Sequence, residues 1–339
     1  MKAIIYTQPG EPDVLHPIER SVPEPGAGEV RVRVRVSGVN PTDWKARRGM
    51  AGRALAYPEI VPNQDGAGVV DAVGEGVPAD RVGERVWLWE ASWQRADGTA
   101  QEYVTLPARQ AVALPDDASF DLGASLGIPA LTAHRCLTVG DAGPRRLAPG
   151  ALAGRIVLVA GGAGAVGNAA IQLAKWAGAT VVTTVSGPDK AGLAQSAGAD
   201  LVVNYRTGNP AEEIRAFAPA GVDIVVEVAP SANAALNHAV TAPAGTIAVY
   251  ATDEHAEVTL PVLPLMLKNV GYRFVLVYTV PEAAKRDAVE DVAAAVAAGA
   301  IRVGEAAGLP LHHFPLDRTA AAHAAVEAGA VGKVLIDVA

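Results

Sequence analysis

The sequence holds a single cysteine, Cys136, in 339 residues. No intrachain disulfide can form, and cysteine-rich zinc sites are excluded by count alone. Aromatic side chains make up only 5% of the chain, so any place where they gather stands out. No window stays apolar long enough to span a bilayer. The opening MKAIIYTQPGEP is interrupted too soon for a secretory leader, and a soluble cytoplasmic protein is expected. Positive charge is in deficit, with a formal net charge of −8. That argues against nucleic acid or an anionic membrane as the main partner. Half of the residues are hydrophobic, enough for a sizeable core, and the length favours two domains. Alanine and glycine are spread along the chain without a fixed repeat.

The first part, to about residue 120, reads as β-rich. EVRVRVRV (29–36) alternates strictly, as a half-buried strand does. Val30, Val32, Val34 and Val36 face a core, and Arg31, Arg33 and Arg35 face water. Glycine and proline punctuate the region up to Pro115, as in a barrel-like domain of short strands. DGAGVVDAVGEGVPADRVGERVW (65–87) reads as strand, turn, strand, with Gly74 and Gly76 at turn positions. After Asp121 strands alternate with helices. Strands are expected at 156–160, 180–185, 201–203, 222–228 and 246–250, and helices at 166–177, 189–197 and 211–217. Repeated β-α-β units imply a parallel, doubly wound sheet. A helix from Pro281 and a short extended tail, VGKVLIDVA, close the chain.

LVAGGAGAVGNAA (158–170) carries Gly-x-Gly-x-x-Gly between an apolar strand and an alanine-rich helix, the context in which that pattern binds a dinucleotide. Gly162 makes the tight turn, Gly164 lets backbone approach a pyrophosphate, and Gly167 packs helix on strand. Gly162, Ala163, Gly164, Ala165 and Val166 are the expected phosphate contacts, at a helix start with free N–H groups. NAD-binding versions end the next strand with a carboxylate. Here TVVTTVSGPDK (180–190) ends on Val185, Ser186 and Gly187. Ser186, Lys190 and Tyr205 offer hydroxyls and a cation, which favours NADP(H). Asp189, beside Lys190, is the residue that would serve NAD instead.

SGVNPTDWKARRG (37–49), DGAGVVDAVGEGV (65–77), GERVW (83–87), LGIPALTAHRCL (126–137), the glycine turn, GADLVVNY (198–205) and GKVLI (332–336) follow in order. The whole chain thereby resembles the zinc-independent quinone oxidoreductases, the zeta-crystallin-like branch of the medium-chain dehydrogenase/reductases. The resemblance implies a GroES-like β-rich catalytic domain, residues 1–122 and 268–339. A Rossmann domain that binds NADP(H), residues 123–267, is inserted in it. An active site in the cleft between them and a homodimer or homotetramer are implied as well.

Zinc-using relatives carry Cys in the stretch matching GVNPTD and a His-Glu pair in that matching NQDGAG. Here Asn40, Gln64 and Asp65 stand there, and neutral amides are poor zinc ligands. The adjacent His312 and His313 point apart on a strand, and no metal is expected. Hydride then has to go to an acceptor that is already electrophilic, a quinone or an enone, with negative charge developing on oxygen. The implied activity is an NADPH:quinone oxidoreductase. An enoyl or 2-alkenal reductase, or a non-catalytic nucleotide-binding relative, are the other two readings. The resemblance implies Asn40, Arg47 and Thr132 as catalytic donors, Asn40 and Thr132 also touching the cofactor. It implies Lys333 at the pyrophosphate, and Val249, Tyr250, Ala251 and Phe274 around the nicotinamide. No general acid is assigned. Better-known members carry tyrosines where this chain has Lys45 and Ala51. Lys45 and Trp93 are read as substrate-pocket residues. Trp87 and Trp89, on one strand face, suit either the pocket or the core.

Overall fold

A computed structural model describes residues 1–49, 55–141, 143–252 and 257–338; Ala51 lies outside them. The chain opens with an antiparallel pair, β1 (Lys2–Ile5) and β2 (His16–Glu19). The valine–arginine alternation follows as β3 (Glu29–Val39). Val30, Val32 and Val34 are fully buried, as period-two alternation requires. On the other face Arg31 pairs with Asp71, so the arginine row is an ordinary outer face. Then come α1 (Pro41–Arg48), β4 (Asp65–Val73), β5 (Arg85–Leu88), β6 (Tyr103–Pro107) and β7 (Ala111–Ala113). Trp87 and Trp89 are buried, which assigns them to the core. Two helices follow, α2 (Phe120–Gly123) and α3 (Gly127–Thr138).

Next the chain builds a six-stranded parallel sheet. Its elements are β8 (Ile156–Ala160), α4 (Ala165–Trp176), β9 (Thr180–Val185), α5 (Pro188–Ser196), β10 (Leu201–Asn204), α6 (Pro210–Phe217), β11 (Val222–Glu227), α7 (Pro230–Val240), β12 (Thr241–Val249), α8 (Val262–Lys268) and β13 (Gly271–Phe274). The order β10-β9-β8-β11-β12-β13 is doubly wound from β8. Leu158, Val182, Val203, Val225 and Ile247 fill its core. After α9 (Glu282–Ala297), β14 (Leu311–Pro315), α10 (Thr319–Glu327) and β15 (Lys333–Asp337) complete the chain. β14 and β15 join the first, mostly antiparallel sheet, in the order β14-β15-β3-β4-β5-β7 with β6 on β3.

The chain divides into one unit of residues 1–128 and 310–339 and another of 129–309. The boundary expected at 268 therefore moves to 309. The reason is hydrogen bonding: β13 extends the parallel sheet beside β12, and Asp291 of α9 bonds to His134 of α3. The boundary expected after 122 moves to 128, because the Ile128 N–H is held by Asp65 of the first unit.

Candidate functional site

In the second unit the glycine turn joins β8 to α4 at the carboxyl edge of the parallel sheet, where doubly wound folds bind ligands beside the switch in strand order. The left-handed residue is Gly161, φ +71°, one position before the glycine expected to make the tight turn. Gly162 is needed for room: a Cβ there would lie 2.2 Å from Thr183 Oγ1. At Gly167 a Cβ would lie 2.4 Å from the Gly161 carbonyl oxygen, so the helix packs onto the turn at backbone distance. Gly164 is exposed, and the nearest atom to a Cβ there is 3.5 Å away. The Gly164 N–H donates to the Gly161 carbonyl and the Asn168 N–H to the Gly164 carbonyl, so the N–H groups of Ala165, Val166 and Gly167 are the donors this helix start offers to an anion.

Most of the other residues of this unit expected at the cofactor lie along the same edge. Ser186 follows β9, and Lys190 sits half-exposed in the first turn of α5. Tyr205 is 49% exposed, and its N–H bonds to the Val185 carbonyl at the end of β9. Asp189 is exposed beside Lys190. Arg206, exposed beside Tyr205, is a further cation that sequence reading missed, since a lone arginine in a turn carries no pattern. Val249 and Phe274 are register partners at the ends of β12 and β13, followed by Tyr250 and Ala251. Phe274 is 76% exposed. Thr132 is buried in α3. Glu227, at the end of β11, was also missed. It is fully buried and accepts N–H groups of Ala229, Asn233 and Asn237, fixing the start of α7.

In the first unit, Asn40 links β3 to α1. Its extended backbone is what a residue before proline adopts. Register brings it its neighbours: Val39 pairs with Val334, and Gly38 with Asp65. Asn40 Nδ2 donates to Asp65 Oδ2 at 2.7 Å, and Lys333 Nζ donates to Asn40 Oδ1 at 2.7 Å and to Asp65 Oδ2 at 3.3 Å. Asp65 Oδ1 accepts the Ile128 N–H at 2.8 Å. Asp43 accepts the N–H groups of Asn40 and Gln64. All four side chains are buried. Burial, with the Asp65 charge nearby, pushes the Asp43 carboxyl up to about 7. Burial raises Asp65 and lowers Lys333, each opposed by the other's charge.

Two further expected site residues lie buried inside this unit. Lys333 is 1% exposed and bonded to Asn40 and Asp65, an internal cation of this unit. Arg47 is fully buried with Nη2 on Glu327 at 2.7 Å, an internal cation too. Burial, with the Arg47 charge nearby, holds the His323 imidazole down at about 3. Lys45 is half-buried with Nζ 5.8 Å from the Trp44 ring centre. Trp93 lies half-buried in the turn after β5, as a loop residue should.

Comparison with known proteins agrees with this architecture. Residues 26–116 match the alcohol dehydrogenase GroES-like domain family, and residues 165–299 match the zinc-binding dehydrogenase family. The quinone oxidoreductase of Rattus norvegicus is 33% identical over 235 residues, 69% of this chain and 68% of that protein. The chain belongs to the medium-chain dehydrogenase/reductase superfamily. The synaptic vesicle membrane protein VAT-1 homolog of Rattus norvegicus is 34% identical over 229 residues, 67% of this chain. This chain covers 53% of that protein, about half its length. A mycobacterial structure complexed with NADPH is 30% identical, covers 99% of both chains and superposes with a TM-score of 0.80.

The matched family's name implies zinc, and the buried cluster tests whether zinc fits. An ammonium, a carboxamide and one carboxylate already bonded to each other do not make a zinc ligand set. Among the described residues no group of three His, Cys, Asp or Glu side chains is placed to hold a metal. A nucleotide fits better: the turn has backbone-distance packing at Gly167, an open Gly164 and a helix start beside it. Among the described residues no helix is long and apolar enough to cross a membrane.

Proposed function

We propose that this chain is an NADPH-dependent reductase that delivers hydride to quinones or related α,β-unsaturated carbonyls. The glycine turn carries the reading, because Gly162 and Gly167 are required by contacts of 2.2 and 2.4 Å while Gly164 faces open space. The mycobacterial structure complexed with NADPH supports the choice of cofactor. Bound NADPH supplies a hydride equivalent, and water supplies the proton that completes reduction. Gly162, Ala163, Gly164, Ala165 and Val166 would hold the pyrophosphate. Ser186, Lys190, Tyr205 and Arg206 would hold the 2′-phosphate, against the single carboxylate of Asp189. Val249, Tyr250, Ala251, Phe274 and Thr132 would seat the nicotinamide. Asn40 would donate an N–H to the acceptor oxygen, where charge grows as hydride arrives. Lys45 and Trp93 would shape the acceptor's surroundings. No step runs through zinc, because the cluster around Asn40 does not suit it.

The same reading includes a second copy of the chain as partner. β13 ends the parallel sheet, and Val262, Leu263, Met266, Leu267 and Leu276 are more than half exposed around it. A free edge strand can pair with its own copy across a twofold axis. Light scattering on the purified chain decides this part: a monomer removes it.

The test of the activity follows NADPH absorbance against a panel of quinones, enals and enones, with NADH and chelator controls. Turnover with NADPH, well above that with NADH and unaffected by chelator, is expected. Binding of NADPH with no turnover of any acceptor overturns the reading.

A further inference from the structure

We infer that Lys333 and Asp65 are positioning residues that lock the Asn40 carboxamide as a hydrogen-bond donor, so that it selects acceptors through a carbonyl oxygen. The inference rests on the proposed reductase activity for its substrate and on the geometry of the first unit for its mechanism.

The two ends of a carboxamide are alike in shape and opposite in function. At Asn40 the neighbours remove the ambiguity. An ammonium only donates, so the atom 2.7 Å from Lys333 Nζ is the amide oxygen. A carboxylate accepts, so the atom 2.7 Å from Asp65 Oδ2 is the amide nitrogen. That bond uses one of the two nitrogen-bound hydrogens, and the other is what the side chain can give. The Lys333 charge on the amide oxygen also polarises the group and strengthens the remaining donor.

The surrounding backbone is built around this arrangement. A Cβ at Gly38 would lie 3.0 Å from Lys333 Cε and 2.1 Å from the Ala124 carbonyl oxygen. A Cβ at Gly127 would lie 2.1 Å from Asp65 Oδ1. Glycine at both positions leaves the room that the lysine and the aspartate occupy. The Ile128 N–H then fixes the second oxygen of Asp65 at 2.8 Å. Asp43 fixes the Asn40 backbone N–H at 2.7 Å. A buried ion pair is weak evidence for stability, since well-packed apolar residues do as well. Orientation of a neighbour is a use that apolar residues cannot replace.

The test is a double-mutant cycle on the whole chain with Lys333→Met, Asn40→Ala and the pair. Acting through Asn40, Lys333→Met lowers kcat about tenfold and leaves the Kd for NADPH, read by fluorescence, within about twofold; it adds nothing further on the Asn40→Ala background. Losses that multiply, or an NADPH Kd raised tenfold at unchanged kcat, overturn the inference, the latter restoring Lys333 as a phosphate contact. A readout without nucleotide or acceptor separates this from failure of the reductase reading. In wild type, the Asn40 side-chain ¹H–¹⁵N pair, assigned by its loss in Asn40→Ala, is resolved and exchanges slowly with solvent. A collapsed, fast-exchanging pair overturns the clamp whether or not Lys333→Met folds. A resolved pair in a protein that reduces nothing leaves the clamp standing and removes the reductase.

Discussion

Lys333 Nζ lies 2.7 Å from Asn40 Oδ1 although the two residues are 293 positions apart. Their bond closes a buried cluster with two carboxylates and one ammonium, and its titration has a predictable sign. The Asp43 carboxyl is raised to about 7, by burial first and by the Asp65 charge second. An unfolded aspartate ionises near about 4. Between these values the unfolded chain gives up a proton that the folded chain keeps, so stability falls as pH rises. The slope for one group is at most about 1.4 kcal/mol per pH unit. Calorimetry from pH 5 to 7 should show Tm falling in wild type and falling less in Asp43→Asn. Equal slopes for the two proteins would show that Asp43 is already ionised at pH 5.

The glycines of the turn separate folding from binding. Gly167→Ala puts a Cβ 2.4 Å from the Gly161 carbonyl oxygen, and backbone cannot move aside cheaply. A loss of about 1–3 kcal/mol is expected from overpacking, with nucleotide binding lost alongside. Gly164→Ala has its nearest neighbour at 3.5 Å, so urea unfolding should be unchanged within about 0.5 kcal/mol. Any fall in NADPH affinity in Gly164→Ala then reports crowding of the ligand itself. Unaltered affinity in that variant would mean that no phosphate approaches this turn.

Lys190 sits on α5 just beyond β9, with Tyr205 at the same strand end. If it meets the 2′-phosphate, Lys190→Ala weakens NADPH binding by about 1–3 kcal/mol, the usual loss of a charge-assisted contact, and leaves NADH affinity nearly as it was. Titration calorimetry with both nucleotides decides it. Equal losses would place Lys190 elsewhere on the nucleotide. An NADH preference in wild type would give the strand end to Asp189.

Local patterns were legible in the sequence where the interaction is itself local. The alternation at β3 and the apolar runs at β8 and β9 marked those strands, and Gly-x-Gly-x-x-Gly marked the turn. The strand β13 escaped because GYRF is short and lacks alternation, and α8 because VLPLMLK is apolar on every side and interrupted by Pro264. The roles given to Lys333 and Arg47 came from resemblance, and only the structure shows that both are buried. Their partners, Asn40 and Glu327, are 293 and 280 positions away. No periodicity or spacing in one sequence records a contact of that range; the register of β3 on β15 brings the first pair together, and the packing of α1 on α10 the second.

Asp291 offers a test of the same kind in the second unit, where His134 lies 157 positions away. Asp291 is buried on α9 and accepts from His134 Nε2 at 2.8 Å, from Arg146 Nε at 2.7 Å and from the Leu147 N–H at 2.7 Å. Burial alone would raise its carboxyl, but these hydrogen bonds outweigh burial and hold it below the ordinary range. A depressed acid contributes stability above its unfolded value and loses it as pH falls through the folded one. At pH 7, Asp291→Ala should therefore cost about 3 kcal/mol, because it leaves a buried histidine and a buried N–H without their acceptor. Arg146 has a half-exposed side chain, and its removal should cost under about 1 kcal/mol. Urea unfolding at pH 7 and again near pH 3 measures both. The gap between wild type and Asp291→Ala narrows at the lower pH if the carboxylate is what holds α9 to this unit. A gap that stays constant would mean that α9 is held by its apolar contacts, with Asp291 contributing only shape.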